Sequence, residues 1–236
     1  MKTEEEQCMR ILTNAVNECK SDWIALSGGL DSSILAHLRK DQKPQTMTII
    51  TKDFLGTDLT FAQIIAKHLG LDLSLIQVNM EDVLDSINET IKILGNYNDI
   101  EIRNSIVPYI YLTTLKRKGV DSVITGDGAD EVFAGYNFLL KKSDEEIGEE
   151  LKRIKKIMHF PSKDIARSLN MKVETPFLNE ELIKFSDEIE ISKKLMTKMG
   201  KNLESGYLER HLRNIYQTTS HGERNHLCKM DRVPII

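Results

Sequence analysis

Apolar residues along the chain follow two alternating periods, one helical and one of short β-type runs. Over residues 3–19, Cys8, Ile11, Leu12, Ala15, Val16 and Cys19 share a helical face behind an acidic first turn, which suits the helix dipole. The run Trp23-Ile24-Ala25-Leu26 predicts a strand over 22–27, and Ile34, Leu35 and Leu38 predict an amphipathic helix over 31–40. Thr46 to Thr51 is a second β-branched run, followed by a loop with Gly56 and a helix from Asp58 to His68 that stops at Gly70. Leu71 to Val78 predicts a third strand and Glu81 to Leu94 another helix. Ile106 to Leu115 is strongly apolar and runs into Lys116-Arg117-Lys118-Gly119, a basic last turn with a glycine stop. Ser122-Val123-Ile124-Thr125 is a short buried strand leading into Gly126-Asp127-Gly128-Ala129-Asp130-Glu131.

Strands alternating with helices of this length predict an α/β fold built on a doubly wound parallel sheet. Beyond Leu139 the pattern becomes helical and charged, with Ser143-Asp144-Glu145-Glu146 as a cap whose charges form a solvated face. Pro161-Ser162-Lys163-Asp164 begins a further helix, Val173 to Leu178 is extended, and Asn179 caps a helix reaching Asp187. The expected organisation is an α/β core over 1–140, a helical C-terminal part of the same domain over 141–201, and an atypical tail over 202–236.

Composition narrows the function classes. The chain has 236 residues, a net charge of −4 and a pI of about 5.9, so no general basic field attracts nucleic acid. No apolar run approaches the ~20 residues of a membrane span, and the N-terminus lacks an apolar signal core. Cys8, Cys19 and Cys228 form no Cys-x-x-Cys pair or zinc spacing, and the six histidines are scattered. A metal held by histidine or cysteine is not expected, and a reducing cytoplasm is.

The chemistry concentrates in two turns. Ser27-Gly28-Gly29-Leu30-Asp31-Ser32-Ser33 joins a strand to a helix, where backbone N–H groups and a helix N-terminus converge on an anion. The bland alternative is an ordinary turn with Asp31 or Ser32 as helix cap. Neither a Walker-type phosphate loop nor a dinucleotide-binding glycine pattern is present. An acid inside a phosphate loop repels its ligand unless a divalent cation intervenes, so Asp31 implies Mg²⁺, with Asp130 as second ligand if the turns face each other. Both turns lie at predicted strand C-termini, where such sheets bind ligands. Holding pyrophosphate as a leaving group requires this combination. For Asp127 the bland reading is an Asx-turn cap.

These residues resemble a known family. Ser27–Ser33 resembles the PP-loop of ATP pyrophosphatases, the adenine nucleotide alpha hydrolase-like group. Thr125 to Tyr136 (Thr-Gly-Asp-Gly-Ala-Asp-Glu-Val-Phe-Ala-Gly-Tyr) resembles the second hallmark of asparagine synthetases and their β-lactam-synthetase relatives, and Thr175-Pro176-Phe177-Leu178-Asn179 their third. Arg103, with Pro108 and Tyr109 downstream, resembles the segment before the second hallmark. The order and spacing also agree, over residues 15–200. The resemblance implies an ATP-dependent C–N ligase that amidates aspartate through β-aspartyl-AMP, releasing AMP and pyrophosphate, with ATP and Mg²⁺ as cofactors. It places Leu26, Thr51, Thr125 and Gly126 on the adenine and ribose side, and Ser27, Gly28, Gly29, Leu30, Asp31, Ser32 and Ser33 around the phosphates. Asp31 and Asp130 become metal ligands, and Arg103 and Glu131 substrate-side residues. Asp127 falls where the family has a glutamate that serves adenylate formation and acts as base for the amine; Asp127 is one methylene shorter. Glu174 and Asn179 stand where the family has arginine and aspartate, with Lys172 near Glu174.

Both ends depart from the resemblance. Glutamine-using members carry an N-terminal glutaminase with a cysteine just after the initiator methionine, whereas Lys2 follows Met1 here. Ammonia is therefore expected as free ammonium or from a separate glutaminase subunit. At the other end, 202–236 lack the family's Lys-x-x-Leu-Arg-x-Ala-Phe, Leu-Pro and Arg-x-Lys landmarks, the last of which supplies a lysine that stabilises the intermediate. Back-translating Asn202 to Pro234 and reading a neighbouring frame restores all three, in order. The expectation is an out-of-frame, poorly packed tail; the alternative is a divergent tail in which Lys201 or Lys229 substitutes. Rival readings are a PP-loop amide or β-lactam-forming ligase on another carboxylate, and an inactive ATP-binding remnant. The acidic pI and the missing Cys-x-x-Cys weigh against the superfamily's tRNA-modifying branch.

Overall fold

The computed structural model describes residues 4–51 and 57–190. The expected Gly56 loop, Cys228 and the expected 202–236 tail lie outside the described residues. The helix α1 (Glu4–Glu18) leads into β1 (Trp23–Ala25), α2 (Leu30–Arg39), β2 (Gln45–Thr51), α3 (Thr57–Leu69) and β3 (Leu73–Val78). The hairpin α4 (Met80–Leu94) and α5 (Asp99–Arg117) precedes β4 (Ser122–Ile124) and α6 (Ala129–Phe133). Then follow α7 (Asp144–Ile157), α8 (Pro161–Ser168), β5 (Lys172–Glu174) and α9 (Glu180–Glu188).

The five strands form one sheet in the order β3-β2-β1-β4-β5, parallel throughout. From β1 the chain winds outward through β2 and β3, then returns to the other side of β1 as β4 and β5. That reversal opens a crevice at the carboxyl ends of β1 and β4. Neighbouring strand residues feed two cores. Ile24 and Ile124 pack with Leu12 and Val16 of α1, Leu35 of α2, Ile65 of α3, Phe133 of α6 and Phe185 of α9. Val123 and Val173 pack with Leu112 and Leu115 of α5 and Ile165 of α8, and Trp23 and Ala25 join them. Helices thus cover both faces, as a doubly wound sheet requires. Leu139 with Ile147 and Leu151 of α7 forms a smaller cluster beside Ala134.

Several local expectations change. The helix expected from Ile106 begins at Asp99, because Asn98 caps it, accepting from the Ile100 and Glu101 amides, and Pro108 is accommodated inside. Val173 to Leu178 is not continuously extended: β5 ends at Glu174 and Pro176–Leu178 form a single 3₁₀ turn. Neither Asp31 nor Ser32 caps α2; the N-cap is Gly29, with no side-chain capping bond. Asn179 caps α9 as expected, accepting from the Glu181 and Leu182 amides. Glu174 is buried, and its Oε2 accepts the Lys20 and Ser21 amides at 2.8 and 2.9 Å while Lys172 Nζ lies 3.1 Å from Oε1. Its carboxylate therefore ties the α1–β1 connection to β5, away from the crevice.

Candidate functional site

The first turn is bound to itself through its serines. The Ser27 amide donates to Ser32 Oγ (3.2 Å), the Gly29 amide donates to Ser27 Oγ (3.2 Å), and Ser33 Oγ donates to the Gly29 carbonyl (2.7 Å). Gly28 has φ +84°, and a Cβ there would fall 2.5 Å from the Ala62 nitrogen, so α3 closes that side. At Gly29 a Cβ would meet only Ser27 Oγ, which leaves that side of the turn open to a ligand. Leu30 is the first residue of α2. Leu26 still pairs with β2 through its amide, and its side chain is buried in the core, so only its backbone is available to a ligand. Thr51 ends β2 on the same edge, in register with Val78.

The second turn abuts the first. A Cβ on Gly126 would lie 3.0 Å from Asp31 Cβ and 3.6 Å from the Ser32 nitrogen. Thr125 bonds to the Glu174 carbonyl through its amide, while its Oγ1 is buried without a partner. Gly128 has φ +96° and packs so closely on Leu178 that any Cβ would overlap that side chain, joining the second and third hallmark segments. The chain then forms α6, a helix of one turn within the second hallmark segment. The Asp130 carboxylate folds against Gly135, whose missing Cβ leaves it room. Tyr136 donates its hydroxyl to Glu131 Oε1 at 2.5 Å, and burial with that bond pushes the phenol up.

Asp127 does not act as a turn cap: its Oδ2 accepts from Ser162 Oγ of α8 at 2.5 Å. Tyr111 of α5 is buried nearby, its phenol pushed well up by burial and then by the Asp127 charge. Arg103 is exposed on α5, two residues from Glu101. Glu101 Oε1 lies 3.6 Å from His159 Nδ1, just before α8, so Arg103 belongs to the end of α5 nearest Asp127. The residues missing from the sequence reading are Ser162 and Tyr111. A contact between residues 127 and 162 leaves no mark in local pattern, and Tyr111 reads as one more apolar helix position.

Electrostatically the crevice is one-sided. Asp31 Oδ1 is buried with no hydrogen-bond partner, and burial, then Asp130, then Glu131 raise its carboxyl well above the usual range. Burial and then Glu131 push Asp130 up to about 6. Three acids, Asp31, Asp130 and Glu131, share this end of the crevice. Such a donor set fits Mg²⁺, a hard ion bound through one or two carboxylates together with phosphate oxygens. No group of three or more His, Cys, Asp or Glu side chains among the described residues could hold a metal ion by itself. A separate groove of about 800 Å³ between β3, α4 and α5 contains none of the predicted site residues.

Comparison with known proteins agrees with this picture. A family model described as asparagine synthase matches residues 12–171. Asparagine synthetase B (glutamine-hydrolyzing) of Escherichia coli is 30% identical over 181 residues, covering 68% of this chain and 32% of that protein. The Rattus norvegicus asparagine synthetase (glutamine-hydrolyzing) is 34% identical over 145 residues, covering 57% and 25%. The chain thus spans about a third or less of the length of these relatives. A solved NMN synthetase from Francisella tularensis is 14% identical with a TM-score of 0.40, covering 79% of this chain and 94% of that one.

Proposed function

The chain belongs to the asparagine synthase family, and we propose that it makes asparagine from aspartate and ammonia, driven by cleavage of ATP to AMP and pyrophosphate. The observation that carries this reading is the pair of half-buried carboxylates Asp31 and Asp130 at the junction of two glycine turns, with Asp31 Oδ1 buried and unpartnered among the described residues. Asp31 and Asp130 would hold Mg²⁺, which when bound offsets the negative charge of the departing pyrophosphate.

The rest of the reading concerns the chain's own groups. The Ser27, Gly29 and Ser32 turn cradles the β- and γ-phosphates, and Ser33 stiffens it through the Gly29 carbonyl. Thr125, with its buried unpartnered hydroxyl, faces the nucleoside with Leu26, Thr51 and Gly126. The substrate's β-carboxylate attacks the α-phosphorus; the bond to the bridging oxygen breaks and pyrophosphate leaves. Ammonia then adds to the acyl carbon of the resulting β-aspartyl-AMP. Asp127 takes a proton from the attacking nitrogen as the C–N bond forms, and AMP departs with the electrons of the broken C–O bond. Arg103 and Glu131 lie toward the substrate side. Ammonia comes as free ammonium or from a separate glutaminase subunit, and the reaction runs in the cytoplasm. No described helix is long and apolar enough to cross a membrane, and burial raises the Cys8 and Cys19 thiols to about 12 and about 11, far from reactive thiolates.

One observation favours a second reading. Glu174 stands where the family has an arginine, and its carboxylate is engaged by the α1–β1 amides rather than by the crevice. A ligase of the same mechanism acting on a different carboxylate follows from that. The assay is AMP and pyrophosphate release by the chain as given, beside a version with the 202–236 frame restored. Release dependent on both aspartate and ammonium supports the first reading, and release dependent on another carboxylate supports the second. Activity confined to the restored chain marks the tail as out of frame. An intact locus without a slip, or equal activity of both chains, refutes that.

A further inference from the structure

Ser162 stands outside every motif, yet it donates Oγ–H to Asp127 Oδ2 at 2.5 Å. Three features make this contact more than an incidental surface bond. Ser162 is buried, so water does not compete for its hydroxyl. It is the second residue of α8, whose N-cap Phe160 offers no side-chain bond. The Ser162 hydroxyl thus meets the carboxylate at the N-terminal end of α8, where the helix dipole favours negative charge. Finally, α8 is itself fixed from two sides. Its Ile165 and Ala166 are buried in the second core, and the preceding His159 sits between Asp164 (2.5 Å) and Glu101 of α5 (3.6 Å).

Asp127 belongs to a flexible-looking context on its own element. It is flanked by Gly126 and Gly128, and the second of these has a left-handed backbone. Without an outside partner its side chain could rotate away from the crevice. We infer that Ser162 is a positioning residue for Asp127, fixing which carboxylate oxygen faces the amine and acting only through that carboxylate. The inference rests on the reading of Asp127 as the group that takes the proton from the attacking nitrogen.

A catalytic double-mutant cycle tests it, using the chain shown to be active, with AMP formation from ATP, aspartate and ammonium as readout. Ser162→Ala lowers kcat by about tenfold and leaves KM for ATP unchanged, since misorientation of a reacting group affects the chemical step rather than nucleotide binding. Ser162→Thr keeps the hydroxyl and most of the rate. In an Asp127→Asn background Ser162→Ala has no further effect. The inference is overturned if Ser162→Ala matches the unsubstituted chain, if Thr fares no better than Ala, or if the loss persists unchanged beside Asp127→Asn. Where Asp127→Asn leaves no measurable rate, the Ala and Thr contrast alone decides. Full activity of Asp127→Asn removes the reading of Asp127 itself, an outcome distinct from all of these.

Discussion

Glu174, at the end of β5, has two backbone amides and a lysine ammonium on its oxygens, whereas Asp31, just beyond β1, has a buried oxygen with no partner and two acids for neighbours. Glu174 ends a strand and Asp31 lies in the first turn of α2, and their surroundings are opposite. A buried charge left without a partner costs free energy, and a chain keeps such a group where a ligand completes it. Glu174 is therefore satisfied within the architecture by the Lys20 and Ser21 amides and the Lys172 ammonium, whereas on the proposed reading Asp31 serves the chemistry.

The sharpest way to break this comparison is Asp31→Asn. AMP formation should fall by on the order of 10²–10³, the usual loss when an electrostatic stabiliser of developing charge is removed. Denaturant unfolding should show stability unchanged or higher. A loss of stability would mean that Asp31 is a structural acid after all. Glu174→Ala should behave in the opposite way. It leaves the Lys20 and Ser21 amides without their acceptor and should lower stability by about 2–3 kcal/mol, with the rate per folded molecule retained. Gly135→Ala comes next, because its Cβ collides with the Asp130 carboxylate. Its expected signature is about tenfold weaker Mg²⁺ dependence of AMP formation with ATP-independent folding intact, measured by metal titration.

The smallest effect is in pH. Asp130 titrates at about 6 in the fold, above its ordinary value, so its ionised form is disfavoured there. That penalty is full above the folded value and is relieved as pH falls through it. Between pH 7.5 and 5, without added metal, this site should gain about 1 kcal/mol of stability. Mg²⁺ should cancel the gain by stabilising the ionised form. The measurement is the difference in unfolding free energy between the unsubstituted chain and Asp130→Asn, which subtracts distant groups such as His68 and reports Asp130 together with its effect on Asp31. A difference that does not vary with pH would remove the like-charge account of the crevice.

Much of this was legible because it is local. The strand-to-helix periods, the glycine turns and the Asn179 cap depend on neighbouring residues, and they stand where the pattern puts them. The apolar run marks α5 only from Ile106, because its first turns are polar; Asn98 with Asp99 and Glu101 is the true beginning. The bland alternative of an Asp31 or Ser32 cap on α2 fails although both are favoured capping types, because Gly29 takes the position. Strand order, the approach of Gly126 to Asp31 and the Ser162 bond to Asp127 depend on tertiary packing, which no single segment encodes.

The sheet is joined across its middle by very little. In register, β1 meets β4 through the single pair Ile24 and Ile124, whereas β2 and β3 share six positions from Thr46–Leu73 to Thr51–Val78. Beneath the crevice the backbone ladder is thus at its narrowest, and what holds the β4–β5 half against the β1–β3 half is side-chain packing: Ile24 and Ile124 with Leu12, Phe133 and Phe185, and Glu174 on the Lys20 and Ser21 amides. The spacing between Asp31 and Asp130 is therefore set by the core more than by strand hydrogen bonds, so a cavity cut beneath Ile124 reaches the crevice without touching any residue that lines it.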